Sequence, residues 1–98
     1  MELDIAAKRL AELGNSTRLA IFRHLVKYGP EGCPVGGVQK ALSIPGSTLS
    51  HHLGRLIAAG LVEQRREGRI LYCMPVMSAL DEVINYLTEE CCSANCSI

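Results

Sequence analysis

Apolar positions recur at helical spacing through most of the chain. In residues 3–13, Leu3, Ala6, Leu10 and Leu13 follow a 3-4-3 spacing, which predicts one face of an amphipathic helix. Gly14 ends it, and Asn15 or Ser16 can cap a second helix over 16–28, with Leu19, Phe22, Leu25 and Val26 sharing a face. Gly29-Pro30 closes that helix, and GPEGCPVGG reads as a loop. Pro34 suits the first position of a short helix over 34–42, with Val35, Val38 and Leu42 inward. After a turn at Ser43-Ile44, PGSTLSHHLGRLIAAG predicts a fourth helix with Leu49, Leu53, Leu56 and Ile57 inward and Gly60 at its end.

The pattern then changes. Leu61-Val62-Glu63 and Arg69-Ile70-Leu71-Tyr72 are short strand-like runs around a charged Arg-Glu-Gly turn, which predicts a β-hairpin. VMSALDEVINYLTEE returns to helical spacing through Val76, Leu80, Val83, Ile84 and Leu87. The final CCSANCSI carries no periodicity. The predicted order is α-α-α-α-β-β-α, a mainly α (α+β) winged helix-turn-helix. It divides into a domain over 1–90 and a flexible cysteine-bearing tail over 91–98. A chain of 98 residues makes one domain, and a domain this small gains core by dimerising.

Charge sharpens the picture. The net charge is zero, but residues 40–72 hold Lys40, Arg55, Arg65, Arg66 and Arg69 against Glu63 and Glu67, while residues 74–98 hold four acids and no Lys or Arg. A basic middle beside an acidic end predicts a local anion-binding face. At about 100° per residue, the fourth helix turns Ser47, Thr48, His51, Gly54 and Arg55 away from its apolar side, with Ser50 and His52 on the flanks. Small hydrogen-bonding groups near a helix N-terminus followed by cationic ones suit base edges and phosphates in a major groove. The hairpin arginines Arg65, Arg66 and Arg69 suit the backbone or an adjacent minor groove. The expected partner is double-stranded DNA. No nucleophile–base–orienter set and no phosphate-binding glycine loop is present, so the chain does not read as an enzyme.

The N-terminus lacks the apolar run of a signal peptide and no stretch approaches a membrane span, so a cytoplasmic protein is expected. In that compartment five cysteines point to metal or redox chemistry rather than to a disulfide framework.

LGNSTRLAIFRHL, followed by IPGSTLSHHLGRLIAAGLVEQRREGRILY, resembles the ArsR/SmtB family of metal-responsive repressors. The resemblance rests on Leu13 to Leu19, Ser47 to Leu56 and Ala59 to Val62, and extends over about residues 5–90. It implies a homodimer joined through the first and last helices, and repression relieved when an inducer binds. Two recognition helices in such a dimer would enter successive major grooves of an inverted-repeat operator. Members place inducer sites differently. A Cys-x-Cys pair before the recognition helix is incomplete here, since only Cys33 is present. An Asp/His zinc site on the last helix lacks its histidine. Thiols after the last helix are matched by Cys91, Cys92 and Cys96.

Cys91 and Cys96 lie about 140° apart on a continuous helix, so they meet only on an unwound tail that the ion itself orders. Three thiolates without a fourth ligand fit a pyramidal ion such as As(III) or Sb(III) better than zinc. A redox or persulfide sensor is a rival, but it needs a thiolate beside positive charge. These thiols follow Glu89 and Glu90 at the negative end of a helix. Another soft metal, a small thiol carrier and an inert tail also remain open. Cys73 reads as a small core residue, and adjacent His51 and His52 diverge too far to chelate one ion.

Overall fold

The computed structural model of the chain describes residues 1–94. The order is α1 (Leu3–Leu13), α2 (Ser16–Tyr28), a 3-10 turn at Gly29–Glu31, β1 (Cys33–Pro34), α3 (Val35–Leu42), α4 (Gly46–Ala58), β2 (Val62–Glu67), β3 (Ile70–Pro75) and α5 (Met77–Thr88). The three strands form an antiparallel sheet in the order β1-β3-β2. The fold is a winged helix-turn-helix: α3, a three-residue turn and α4, followed by the β2–β3 hairpin as the wing.

Local chemistry sets the boundaries. Asn15 caps α2 by accepting the backbone N–H of Arg18 at 3.0 Å. Ser43 takes a left-handed φ of 53° to end α3, and Pro45 precedes α4, so the chain turns sharply between them. The wing turns through Gly68 and Arg69, with Gly68 at φ 61°, the glycine-first pattern of a type II′ hairpin.

Ile21 and Leu25 of α2, Val38 of α3, Leu49 and Leu56 of α4, and Leu61 just after it are all fully buried around one core. Each such side chain contributes about 1.5–3 kcal/mol through burial. That core fixes the angle at which α4 is presented. Among the described residues no helix is long and apolar enough to cross a membrane.

Five expectations change. The loop before α3 contains β1, whose Cys33 and Pro34 pair with Cys73 and Tyr72. With Pro34 drawn into β1, α3 begins at Val35 rather than at 34. The buried face of α2 runs through Arg18, Ile21, Phe22 and Leu25, whereas Leu19 and Val26 flank a shallow apolar groove with Met77 and Leu80. Ile57 is exposed beside the wing rather than buried. The strands are also longer than their apolar runs, because ladder pairing continues through the charged residues to the Glu67–Ile70 pair.

Candidate nucleic-acid interface

The exposed side of α4 carries Ser47 and Thr48 in its first turn, then Ser50 and His51, all open to solvent. The four N–H groups of a first helical turn lack intrahelical partners, so this end offers donors and a partial positive charge. Short hydroxyl side chains there leave room for a nucleic-acid backbone to approach closely.

Arg55 and His52, further along α4, are not free in the same way. The Arg55 guanidinium reaches back to α1 and donates to both carboxylate oxygens of Glu12, at 2.8 and 2.9 Å. Arg18 of α2 completes the cluster. Its Nε donates to the Glu12 carbonyl oxygen at 2.7 Å and lies 3.1 Å from Glu12 Oε2. Arg18 Nη1 lies 3.2 Å from His52 Nδ1. A guanidinium has only donors, so Nδ1 must accept; His52 is therefore neutral with its hydrogen on Nε2. Burial lowers the pKa of His52, and Arg18, His51 and Arg55 lower it further. The Arg55 bond, with the charges of Arg55, Arg18 and Lys8, holds the Glu12 carboxyl below the usual carboxylate range against its burial. The carboxylate in turn raises the Arg55 pKa.

Glu12 and Arg18 did not stand out in the sequence as members of this cluster. One usable signal is that Glu12 is a charged residue beside the apolar stripe of α1, while its partner Arg55 lies 43 positions away.

The wing presents its arginines unequally. Arg65 is fastened down: its guanidinium lies 5.2 Å from the Tyr72 ring centre, pairs with Glu67 at 2.9 Å and donates to the Glu31 carbonyl oxygen at 3.1 Å. Arg66 and Arg69, at the tip, have no carboxylate partner among the described residues and are exposed.

The remaining candidate residues are the tail thiols. Helix α5 stops at Thr88, and Cys91 and Cys92 lie on an exposed turn beyond it, with Cys92 at a left-handed φ of 62°. Their sulfurs are 3.4 Å apart. An ion about 2.3 Å from each would see them at an angle of about 95°, narrower than the tetrahedral angle of zinc and close to that of a pyramidal ion with a lone pair. Cys96 lies outside the described residues, and among those described no three His, Cys, Asp or Glu side chains are grouped to hold a metal.

Comparison with known proteins agrees with this architecture. Residues 13–65 match a family model described as a helix-turn-helix domain. Nodulation protein NolR of Rhizobium meliloti is 32% identical over 88 residues, covering 90% of this chain and 70% of that protein. A putative arsenical resistance operon repressor, ArsR, of Halobacterium salinarum is 38% identical over 69 residues, covering 70% and 51%. The solution structure of a winged helix-turn-helix DNA-binding domain from Mycobacterium bovis, described as homodimeric and a possible ArsR-family transcriptional regulator, superposes with a TM-score of 0.69. It is 30% identical and covers 89% of this chain and 85% of that one. A helix-turn-helix match over more than half its length, and relatives at least 30% identical that span 70–90% of it, place the chain in the ArsR/SmtB family of winged helix-turn-helix transcription regulators.

Proposed function

We propose that the chain is a homodimeric DNA-binding repressor released from its operator when a thiophilic metalloid, arsenite or antimonite, binds Cys91, Cys92 and Cys96. Ser47, Thr48, Ser50 and His51 would read an inverted repeat in the major groove, two half-sites one helical turn apart, with His52 and Arg55 supporting them from the α1–α2 side. Arg66 and Arg69 would hold phosphates, and Arg65 would set the wing's angle. The observation that carries the inducer is the pair of sulfurs 3.4 Å apart on the turn directly after α5. A third thiol four residues beyond Cys92 can close on them at small entropic cost. An ion bound there acts next to the helix expected to set the spacing of two α4 helices. It opposes DNA through a negative coupling, commonly about 1–3 kcal/mol.

The test is anisotropy of a labelled operator titrated with arsenite and antimonite. The parent chain should dissociate. Cys91→Ser, Cys92→Ser and Cys96→Ser should bind the operator normally and stay bound. If all three variants release as the parent does, the tail site is wrong. If peroxide or a persulfide donor releases the parent and the metalloids do not, the inducer is an oxidant.

A further inference from the structure

We propose that Cys33 and Cys73 are a thiol modification site separate from the tail, closing into an intramolecular disulfide between β1 and β3 when the chain meets an organic disulfide such as oxidised glutathione. The two cysteines are direct partners in the antiparallel ladder. Residues opposite one another on such a ladder point to the same face with Cβ atoms about 4.5–5.5 Å apart. Both side chains are accordingly in the same core, 1% and 0% exposed, and both are free thiols. A disulfide needs Cα atoms about 4.4–6.8 Å apart and Cβ atoms about 3.5–4.5 Å apart. The register therefore supplies the first condition, and a closure of about an ångström supplies the second.

The neighbourhood defines how the pair reacts. Gln64 donates to Cys73 Sγ at 3.6 Å, and His24 Nε2 is 4.0 Å from Cys33 Sγ. Burial pushes both thiols up, so neither is a ready thiolate while the sheet is closed. Reaction requires local opening, and β1 is the weak point: an edge strand of two residues. Cys33 thus reacts first. Its thiolate attacks a sulfur of the glutathione disulfide, releases one glutathione thiolate and leaves a mixed disulfide on Cys33. The Cys73 thiolate then attacks the Cys33 sulfur and releases the second glutathione. Two electrons pass to the glutathione disulfide, and the two protons lost by the cysteines end on the two glutathione thiols. The reaction is slow but favoured at equilibrium because the partners are already aligned. The bond joins the lead-in of α3, which starts at Val35, to the strand that carries the wing.

The native full-length chain is incubated with graded oxidised glutathione, blocked with N-ethylmaleimide and mapped without reduction. No Lys or Arg follows Arg69, so trypsin alone leaves Cys73 and the tail thiols in one peptide. A glutamate-specific protease must be added to separate them. The expected product is 32–40 joined to 70–82, at a mass two hydrogens below the sum of the free peptides. Maleimide on both Cys33 and Cys73 in chains whose tail thiols are oxidised overturns the proposal, as does Cys33 joined to a tail peptide. In the Cys91→Ser, Cys92→Ser, Cys96→Ser triple variant, which leaves the core intact, the same oxidation should raise Tm by about 10 °C or more and dithiothreitol should reverse it. An unchanged Tm after exhaustive oxidation also overturns it.

Discussion

A carboxylate that leaves water must recover what it loses, and Glu12, 7% exposed, does so through Arg18 and Arg55. Glu12→Gln keeps the shape and removes the charge, so two guanidiniums then face each other without a counter-ion. Tm should fall by more than in an exposed control, Glu63→Gln, and operator binding should weaken because α4 loses its anchor on α1. An unchanged Tm would mean that the cluster does not hold α4. His52 adds a pH dependence. Its folded pKa lies below the unfolded value, so the unfolded chain binds more protons between the two and stability rises with pH there. Stability should therefore fall as pH drops from 7.5 through 6.5 and level off below the folded pKa, while His52→Gln removes that component from the melting curve. The Glu12 contribution lies in a separate window and is lost only as pH falls below the usual carboxylate range. Position on a helix was legible from residue spacing, which turned Arg55 outward. The spacing could not show that its long side chain would curl back to a carboxylate 43 positions earlier. A periodicity gives an angle and not a partner.

At the scale of elements, the wing separates two jobs that a count of arginines merges. Arg66 and Arg69 are exposed at the tip, so Arg66→Ala and Arg69→Ala should leave Tm unchanged. Each should reduce the log–log salt dependence of operator binding by about two for a dimer, one phosphate contact per subunit. Arg65 ties β2 to Tyr72 and to the loop after α2. Arg65→Ala should therefore lower Tm with a smaller change in salt slope, measured by titration at several chloride concentrations. Equal slopes for all three variants and the parent would take the wing off DNA. The helices and the hairpin were legible because each follows a local periodicity with turn residues at its ends: Asn15, Gly29 and Gly68 all do what their chemistry suggests. Strand β1 was not. Two residues show no alternation, and their pairing is set by β3, about 40 residues away. The turn that carries Cys91 and Cys92 beyond Thr88 follows from the loss of apolar spacing there.

At the scale of the whole molecule, the apolar stripes of α1 and α5 are only partly used within one chain. Ala6, Ala79 and Val83 are buried, whereas Leu3 is 67% exposed, Ile84 48% and Leu87 62%. The helices are held in place without a partner by Arg9, which donates to the carbonyl oxygens of Ala59 at 3.3 Å and Ala79 at 3.0 Å. One side chain thus fastens α1 both to the end of α4 and to the start of α5. A second copy covering the leftover leucines would fix the distance between two α4 helices through these contacts. An inverted repeat rewards that spacing and a single half-site does not. Leu87→Asp places a charge in the covered face while sparing every contact of Arg9. The variant should keep its far-ultraviolet circular dichroism and sediment as a monomer. It should lose at least tenfold in affinity for the full operator and keep its weak binding to a half-site, both measured by anisotropy. A dimeric Leu87→Asp chain with parent affinity would place the interface elsewhere, and would also remove the reason for a tail ligand beyond Thr88 to govern DNA binding.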